Sequence, residues 1–131
     1  MKGYVQSIEQ ITVKNDYFRK VVYTGPYMQL VLMSLKPGED IGLETHGNDQ
    51  FFRFEQGTGT VLIDGTPHDV HDGSGVIVPA GAKHNIVNTS KDSALKLYTI
   101  YAVPHHKDGV AFVTKAEAEA SDEAFDGQTS E

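Results

Sequence analysis

Cysteine is absent from this chain of 131 residues, and long apolar runs are absent as well. Without cysteine there can be no disulfide and no zinc site built on thiolates. No segment approaches the roughly 18 apolar residues that a membrane span requires. The N-terminal segment lacks the apolar stretch of a signal peptide, and no basic cluster marks a surface for nucleic acid. We therefore expect a cytoplasmic protein that binds neither membranes nor nucleic acids.

Acidic side chains are in excess, but they are unevenly distributed along the chain. The net charge is −7, and the segment from Lys115 onward holds six acidic residues against one basic residue. We interpret residues 115–131 as a short acidic helix followed by a solvated tail that is disordered beyond Gly127. Residues 1–114 then form the single domain that a chain of this length supports.

Short apolar and β-branched segments, separated by turn residues, make up most of the chain. Their regular spacing predicts strands. Asp64-Gly65 marks the turn of a β-hairpin, since both central residues of a type I′ turn need positive φ. Thr114 and Glu117 have the spacing of a capping box at the start of a helix. We expect an all-β fold with a short C-terminal helix. The predicted strands lie near residues 17–24, 27–35, 42–46, 50–56, 59–63, 68–70, 76–78, 84–88 and 95–102.

Two stretches of the chain resemble the two conserved motifs of the cupin superfamily. The first lies within residues 38–57 and the second within residues 73–88. The positions that match in spacing are Gly38, Glu44, His46, Gln50 and Gly57 in the first, and Gly73, Pro79, Gly81, His84 and Asn88 in the second. The resemblance covers residues 33–102. It implies an RmlC-like fold, the cupin jelly-roll β-barrel that is also called a double-stranded β-helix.

Four of these positions hold the metal in cupins, so the resemblance implies a metal site at Glu44, His46, Gln50 and His84. Glu44 stands where a histidine is usual, and Gln50 stands where a glutamate is usual. The set therefore keeps one negative charge and offers two nitrogens and two oxygens. The added oxygen shifts relative preference toward Mn²⁺ or Fe²⁺, whereas intrinsic affinity favours Ni²⁺ or Zn²⁺, and the identity of the divalent ion stays open.

A narrower resemblance points to small single-domain bacterial cupins, a family often labelled mannose-6-phosphate isomerase-like. It is carried by residues 42–46, 49–57, 78–85 and 95–102. This resemblance implies a metal-binding pocket, a small-molecule ligand inside the barrel and a homodimer. The label does not identify a substrate, because a fold does not determine the chemistry that it supports.

Three side chains are candidates for proton transfer, namely Glu44, Tyr101 and His106. Glu44 would act as a base if it left the metal, and Tyr101 would act as an acid if it pointed into the barrel. His106 follows His105 in a loop after the last core strand. It is a candidate because an unperturbed imidazole titrates near neutral pH and can therefore transfer a proton. The simpler alternatives are core packing for Tyr101 and a solvated loop for the two histidines.

These observations favour a mononuclear metalloenzyme that acts on a small oxygenated substrate. A sugar, a keto acid or an enediol would fit, with isomerase, lyase or dioxygenase chemistry. The alternatives are a non-catalytic small-molecule-binding or sensor protein with the same barrel, and a scaffold without any ligand. Metal content is the first property that separates these classes.

Overall fold

A computed structural model describes the whole chain from Met1 to Glu131. Nine strands and two short helices follow one another along it. Their bounds are α1 Ile8–Lys14, β1 Arg19–Thr24, β2 Gln29–Leu35, β3 Asp49–Gln56, β4 Gly59–Ile63, β5 Thr66–Val70, β6 Gly75–Val78, β7 His84–Asn88, β8 Leu95–Ala102, β9 Ala111–Phe112 and α2 Lys115–Glu119. Neither helix is long and apolar enough to cross a membrane.

The strands form two antiparallel sheets around one apolar core. The larger sheet has the order β6-β3-β8-β2-β1-β9, and the smaller has the order β5-β4-β7. Both sheets contribute to the core, which includes Phe52, Phe54 and Leu97 from the larger sheet and Val61 and Ile86 from the smaller. This arrangement confirms the predicted all-β jelly roll with a short C-terminal helix.

Successive side chains of β3 point to opposite faces of the sheet, as a strand period of two requires. Gln50, Phe52 and Phe54 are buried on the inner face. On the other face Arg53 donates to Glu55 over 2.8 Å and forms a surface ion pair with it. The inner face of β3 therefore carries one amide, that of Gln50, among aromatic rings.

The hairpin between β4 and β5 has the predicted turn. Asp64 has φ of 47° and Gly65 has φ of 82°, so both central residues are in the left-handed region. The two strands pair from Ile63 with Thr66 to Gly59 with Val70. The turn thereby sets the register of the smaller sheet.

The predicted strand at residues 42–46 is wrong. This segment runs beside β7 but forms only isolated bridges, between Asp40 and Val87 and between Glu44 and His84. Gly42 has φ of 108°, which interrupts the extended backbone between the two bridges. The segment is therefore a loop that is fixed to β7 at two points.

Both ends of the chain are more ordered than the sequence pattern indicated. Helix α1 was not predicted, and the expected disorder beyond Gly127 is wrong. The backbone N–H of Ser130 donates to the carbonyl of Thr24 over 2.8 Å, and the Tyr23 hydroxyl donates to Glu131 over 2.6 Å. At the start of α2, Thr114 accepts from the Glu117 N–H over 3.2 Å, as its predicted capping role requires.

Candidate metal centre

Glu44, His46 and His84 meet inside the mouth of the barrel. One ligand atom from each of the three side chains lies within 4.8 Å of the others. The backbones of Glu44 and His84 exchange two N–H···O bonds of 2.9 Å, which hold their side chains next to each other. His46 follows two residues after Glu44, and its carbonyl accepts from the Gly81 N–H over 2.8 Å. The loop and the turn before β7 are thus joined on both sides of the cluster.

His84 has a fixed tautomer. Its Nδ1 lies 3.0 Å from the carbonyl oxygen of Ala82. A carbonyl can only accept, so Nδ1 carries the hydrogen and Nε2 carries a free lone pair. Nε2 is buried and has no hydrogen-bond partner. This is the geometry of a metal-ligating histidine, whose other nitrogen is held by a backbone carbonyl.

Gln50 is oriented by the same kind of constraint. The Thr99 hydroxyl donates to the carbonyl of Phe51 over 2.9 Å, so it can only accept from the Gln50 amide nitrogen, 2.9 Å away. The Gln50 carbonyl oxygen, Oε1, is therefore turned into the interior, where it is buried without a partner. An unsatisfied buried acceptor costs about 1–3 kcal/mol.

The residues fit a divalent ion. Gln50 and His84 each hold one lone pair that nothing in the protein uses, and both side chains are only 3% exposed. The Phe52 ring, two residues after Gln50 on the same inner face, lies 6.1 Å from the His84 ring. Glu44 adds the one carboxylate, and its Oε2 lies 2.9 Å from His46 Nε2. The donor types suit Mn²⁺, Fe²⁺, Ni²⁺ and Zn²⁺.

Glu44 is ionised in this environment. Burial raises the pKa of the Glu44 carboxyl, but the hydrogen bond from His46 and the electrostatic effects of His46 and Arg19 outweigh it. The net effect is a lowered pKa. A negative charge is therefore present in the cluster at neutral pH.

Tyr101 and His106 form a second hydrogen-bonded group beside the ligand cluster. Tyr101 is buried, and its ring lies 5.8 Å from the His46 ring. Its hydroxyl is 3.2 Å from His106 Nε2, and His106 Nδ1 is 2.7 Å from a carboxylate oxygen of Glu123. Tyr101 does point inward, and His106 belongs to a buried network and not to a solvated loop.

The protonation pattern of this network follows from burial. Burial strongly raises the pKa of Tyr101, so its hydroxyl keeps its proton and donates to His106 Nε2. Burial also lowers the pKa of His106, against the opposing effect of Glu123, so its ring is neutral. Nδ1 then carries the ring hydrogen and donates to the Glu123 carboxylate.

Gln29 holds the two-histidine segment in place. Its side-chain oxygen accepts from the backbone N–H groups of His105 and His106 over 3.1 and 2.9 Å. Its amide nitrogen donates to the His106 carbonyl over 2.7 Å. The His105 ring stacks on Tyr101 at 5.2 Å and lies 4.3 Å from the His46 ring. His105 thereby covers Tyr101 and His46 from one side.

Acid should destabilise the fold through these buried histidines. Burial, together with the electrostatic effects of the neighbouring His106 and His46, lowers the pKa of His105 from 6.5 to about 4. Between pH 6.5 and about pH 4 the unfolded chain binds a proton at His105 that the folded chain does not bind. The free energy of unfolding therefore falls as the pH falls through this range. The lowered pKa of His106 acts in the same direction. The check is the urea midpoint of metal-free protein between about pH 7.5 and pH 4.5.

A variant pair separates this effect from general acid sensitivity. His105→Gln should flatten the pH dependence of the urea midpoint, whereas His68→Gln should leave it unchanged, because His68 is exposed on β5. Equal pH dependence in His105→Gln and the wild type would contradict the role of His105.

Three residues of this region were missed by sequence reasoning. Glu123 was counted as part of a solvated acidic tail, Arg19 as an ordinary strand residue, and Gln29 as one face of a strand. The contacts of Glu123 and Gln29 with His106 join residues that are 17 and 77 positions apart in the sequence. A local sequence pattern therefore does not predict them. Alternation along β1, which buries Arg19 beside Val21, is the one signal that could have found Arg19.

The cluster does not coincide with the largest depression on the surface. That depression, about 320 Å³, lies between β5 and β6 and includes His68 and Asp69. Both of these side chains are exposed, and neither belongs to the group of side chains that could hold a metal ion. A smaller cavity of about 110 Å³ adjoins Glu44. The chemistry of the side chains therefore identifies the site better than cavity size does.

The chain is similar in sequence and in structure to cupin-domain proteins. A sequence model of the cupin domain matches residues 31–101. The chain is 45% identical over 129 residues to the uncharacterized protein YrkC of Bacillus subtilis, with 93% of this chain and 69% of YrkC covered. The crystal structure of BH2720 from Bacillus halodurans superposes with a TM-score of 0.89 and 42% identity, over 92% of this chain and 96% of that protein.

A shorter similarity links the chain to a protein of stated activity. Dimethylsulfoniopropionate lyase DddW of Ruegeria pomeroyi is 32% identical over 60 residues, which is 46% of this chain and 40% of the lyase. The similarities to YrkC and BH2720, in contrast, extend over more than nine-tenths of the chain and include both motifs.

Proposed function

The chain belongs to the cupin domain family, and from this premise we propose that it is a metal-dependent enzyme for a small oxygenated substrate. Glu44, His46, Gln50 and His84 would hold one divalent ion. The substrate class comprises sugars, keto acids and enediols, and the chemistry is isomerisation, lyase cleavage or dioxygenation. The similar segment of a lyase from Ruegeria pomeroyi supports the lyase class among these.

The observation that carries the proposal is the pair of unused lone pairs on Gln50 Oε1 and His84 Nε2. A barrel that served only as a scaffold would gain stability by replacing these side chains with apolar ones, since buried polar atoms without partners are costly. Thr99 and Ala82 instead hold both side chains with their free acceptors directed inward. Side chains preorganised in this way are what a metal ion requires.

A bound divalent ion would supply Lewis acidity toward a substrate oxygen. The protein itself supplies the remaining functions. The buried Phe52 ring lies beside His84 and forms an apolar wall on the inner side of the ligand set. The stacked rings of Tyr101 and His105 cover His46. The site therefore combines four polar ligands with a largely apolar wall, as small-molecule sites do.

Tyr101, His106 and Glu123 provide a route for a proton. The Tyr101 oxygen can accept a proton from a substrate while its own hydrogen passes to His106 Nε2. The Glu123 carboxylate then stabilises the imidazolium through its 2.7 Å bond to Nδ1. This arrangement follows the logic by which a carboxylate orients and supports a catalytic histidine. Tyr101 and His106 are thus the proposed catalytic residues, with Tyr101 relaying a proton to His106 in place of the acid role expected from the sequence, and Glu123 is a positioning residue.

Metal content tests the proposal. Protein purified without a histidine tag and without chelators is expected to retain close to one equivalent of a divalent ion. After dialysis against a chelator, added Mn²⁺, Fe²⁺, Ni²⁺ or Zn²⁺ should raise the melting temperature, because an ion that binds only the folded state stabilises it. Elemental analysis and calorimetric melting provide the two measurements. A protein that neither retains nor takes up any of these ions would sink the proposal.

Turnover separates an enzyme from a binding protein or sensor. Metal-loaded wild type should consume a member of a panel of 2-oxo acids, 2-hydroxy acids and aldoses, followed by NMR of the mixture. Tyr101→Phe should keep the metal and lose most of the turnover, because only the hydroxyl is removed. Tyr98→Phe is the matched control, since Tyr98 is only partly buried and pairs with Arg53 of β3 away from the ligand cluster. Binding without turnover throughout the panel would favour the sensor alternative.

A further inference from the structure

Arg19 is a buried cation without a partner. The side chain is 8% exposed, its Nε is buried without a hydrogen bond, and it forms no ion pair with any carboxylate of the chain. Its one close compensating contact is with the Phe18 ring, 5.3 Å away. The chain has only one other arginine, Arg53, which is ion-paired on the outer face of β3.

A guanidinium in this position is expensive to maintain. Removal of a charge from water costs several kcal/mol unless nearby groups replace the lost hydration. No carboxylate lies within ion-pair distance of Arg19. Its charge acts over a longer distance on Glu44 and Glu123, where it lowers the pKa of both carboxyls. The buried Nε–H of its planar fork therefore has no acceptor among the protein's carboxylates.

Arg19 and Glu44 share the wall of one cavity. The cavity has a volume of about 110 Å³ and is completed by Phe18, Ile41, Ala118 and Glu119. At roughly 30 Å³ for each water molecule, this space holds about three to four waters, or a carboxylate with little besides. Glu119 is largely exposed, so it marks the outer edge. A molecule bound to Arg19 in this cavity lies directly beside the metal-ligand cluster.

The charges of the site favour a monoanion. The two charges of a divalent ion and the one of Arg19 would exceed the two negative charges of Glu44 and Glu123 by one; Glu119, at the exposed edge of the cavity, is ion-paired with Lys115 and is not counted. A single carboxylate neutralises this positive charge. A neutral sugar leaves the site with one positive charge, and a phosphate dianion leaves it with one negative charge. Carboxylate geometry also matches the guanidinium fork, which binds two oxygens side by side.

We propose that Arg19 binds the carboxylate of a small organic acid, with its second oxygen function, a 2-oxo or 2-hydroxy group, directed toward the ligand cluster at Glu44. This inference rests on the proposed metal-dependent function and narrows its substrate class from oxygenated molecules in general to small organic acids. Arg19 is then the residue that selects a charged substrate over a neutral one of similar shape.

The two arginines allow a direct test in the unmodified protein. Each arginine gives one Nε–H resonance in a ¹⁵N NMR spectrum, and Arg53→Gln assigns the pair. The probe is pyruvate, titrated into zinc-loaded wild type, and pyruvamide is its neutral analogue. Pyruvate should shift the Arg19 resonance and leave that of Arg53 in place, and pyruvamide should shift neither.

Affinity measurements on variants complete the test. By calorimetry, Arg19→Gln should weaken pyruvate binding at least about tenfold, because charge-assisted hydrogen bonds are lost. Arg53→Gln should bind pyruvate as the wild type does. Zinc uptake should be unchanged in both variants, which separates this result from a failure of the metal site. An Arg19 resonance that pyruvate does not move, in protein that has bound zinc, would overturn the inference, as would equal affinity for pyruvate and pyruvamide.

Discussion

Replacement of His84 by alanine is expected to weaken Zn²⁺ binding at least about a hundredfold. Changes in groups that merely orient a metal ligand already cost about 10–100-fold in affinity, and loss of the ligand itself costs more. His84 also presents its Nε2 in one fixed tautomer, so no other side chain can replace it without rearrangement. Calorimetric titration of chelator-treated protein with Zn²⁺ measures the effect.

The same titration distinguishes the roles of the ligands. Gln50→Ala should lose less affinity than His84→Ala, about tenfold, because a neutral amide oxygen is a weak donor. His68→Ala, which changes an exposed histidine on β5, should bind Zn²⁺ as the wild type does. Equal losses for Gln50→Ala and His84→Ala would contradict the assignment of Gln50 as the weaker ligand. An unaffected His84→Ala would contradict the site as a whole.

Substitution of Gly57 by alanine is expected to lower the free energy of unfolding by about 3 kcal/mol or more. Gly57 has φ of 109°, and an added Cβ would lie 2.8 Å from the Ala94 carbonyl oxygen and 3.1 Å from the Leu95 Cα. Both obstacles are backbone atoms at the start of β8, which cannot rotate away. The backbone strain and the collision therefore add to each other.

The matched control is Gly47→Ala in the loop of the same motif. Gly47 has no atom within 4 Å of an added Cβ and does not adopt a positive φ. Its substitution should change stability by no more than about 0.5 kcal/mol. Urea unfolding of chelator-treated protein measures both variants. A Gly57→Ala protein with the midpoint of the wild type would show that β8 can shift to accept the methyl group.

The sequence predicted those parts of the fold that depend on local chemistry. Asp64-Gly65 could be assigned to a type I′ turn because few other residues accept positive φ at both positions. The strands at 59–63, 84–88 and 95–102 were predicted to the residue. In each case neighbouring residues alone decide the conformation.

The candidate metal site was predicted from the resemblance to cupins, and the spacing of the ligand residues explains why that prediction succeeded for three of them. Glu44 and His46 lie two residues apart, and His84 pairs with Glu44 through the backbone. Local rules nevertheless failed for the segment that carries the first two ligands. A strand was expected at residues 42–46, but the positive φ of Gly42 leaves only isolated bridges. The ligand positions survived this error because the bridge at Glu44 fixes the side-chain direction without a regular strand.

Contacts between distant parts of the chain could not be predicted. Glu123 contacts His106 from a segment whose composition is that of a solvated tail, and the contact joins residues that are 17 positions apart. Alternation along β1 indicates that Arg19 is buried, but it does not show which groups surround the guanidinium. The partners of such groups are set by tertiary packing, which sequence periodicity does not encode. The two residues most informative about substrate and proton transfer were thus the hardest to find.

The location of a bound ion tests the central claim most directly. Crystals of the protein soaked in Zn²⁺ and measured at the zinc absorption edge should show one strong anomalous peak inside the barrel. The peak should lie about 2.0–2.2 Å from Glu44, His46, Gln50 and His84, at Gln50 Oε1 and His84 Nε2 in particular. Density only at exposed acidic residues of the C-terminal segment, with the barrel site empty, would contradict the account.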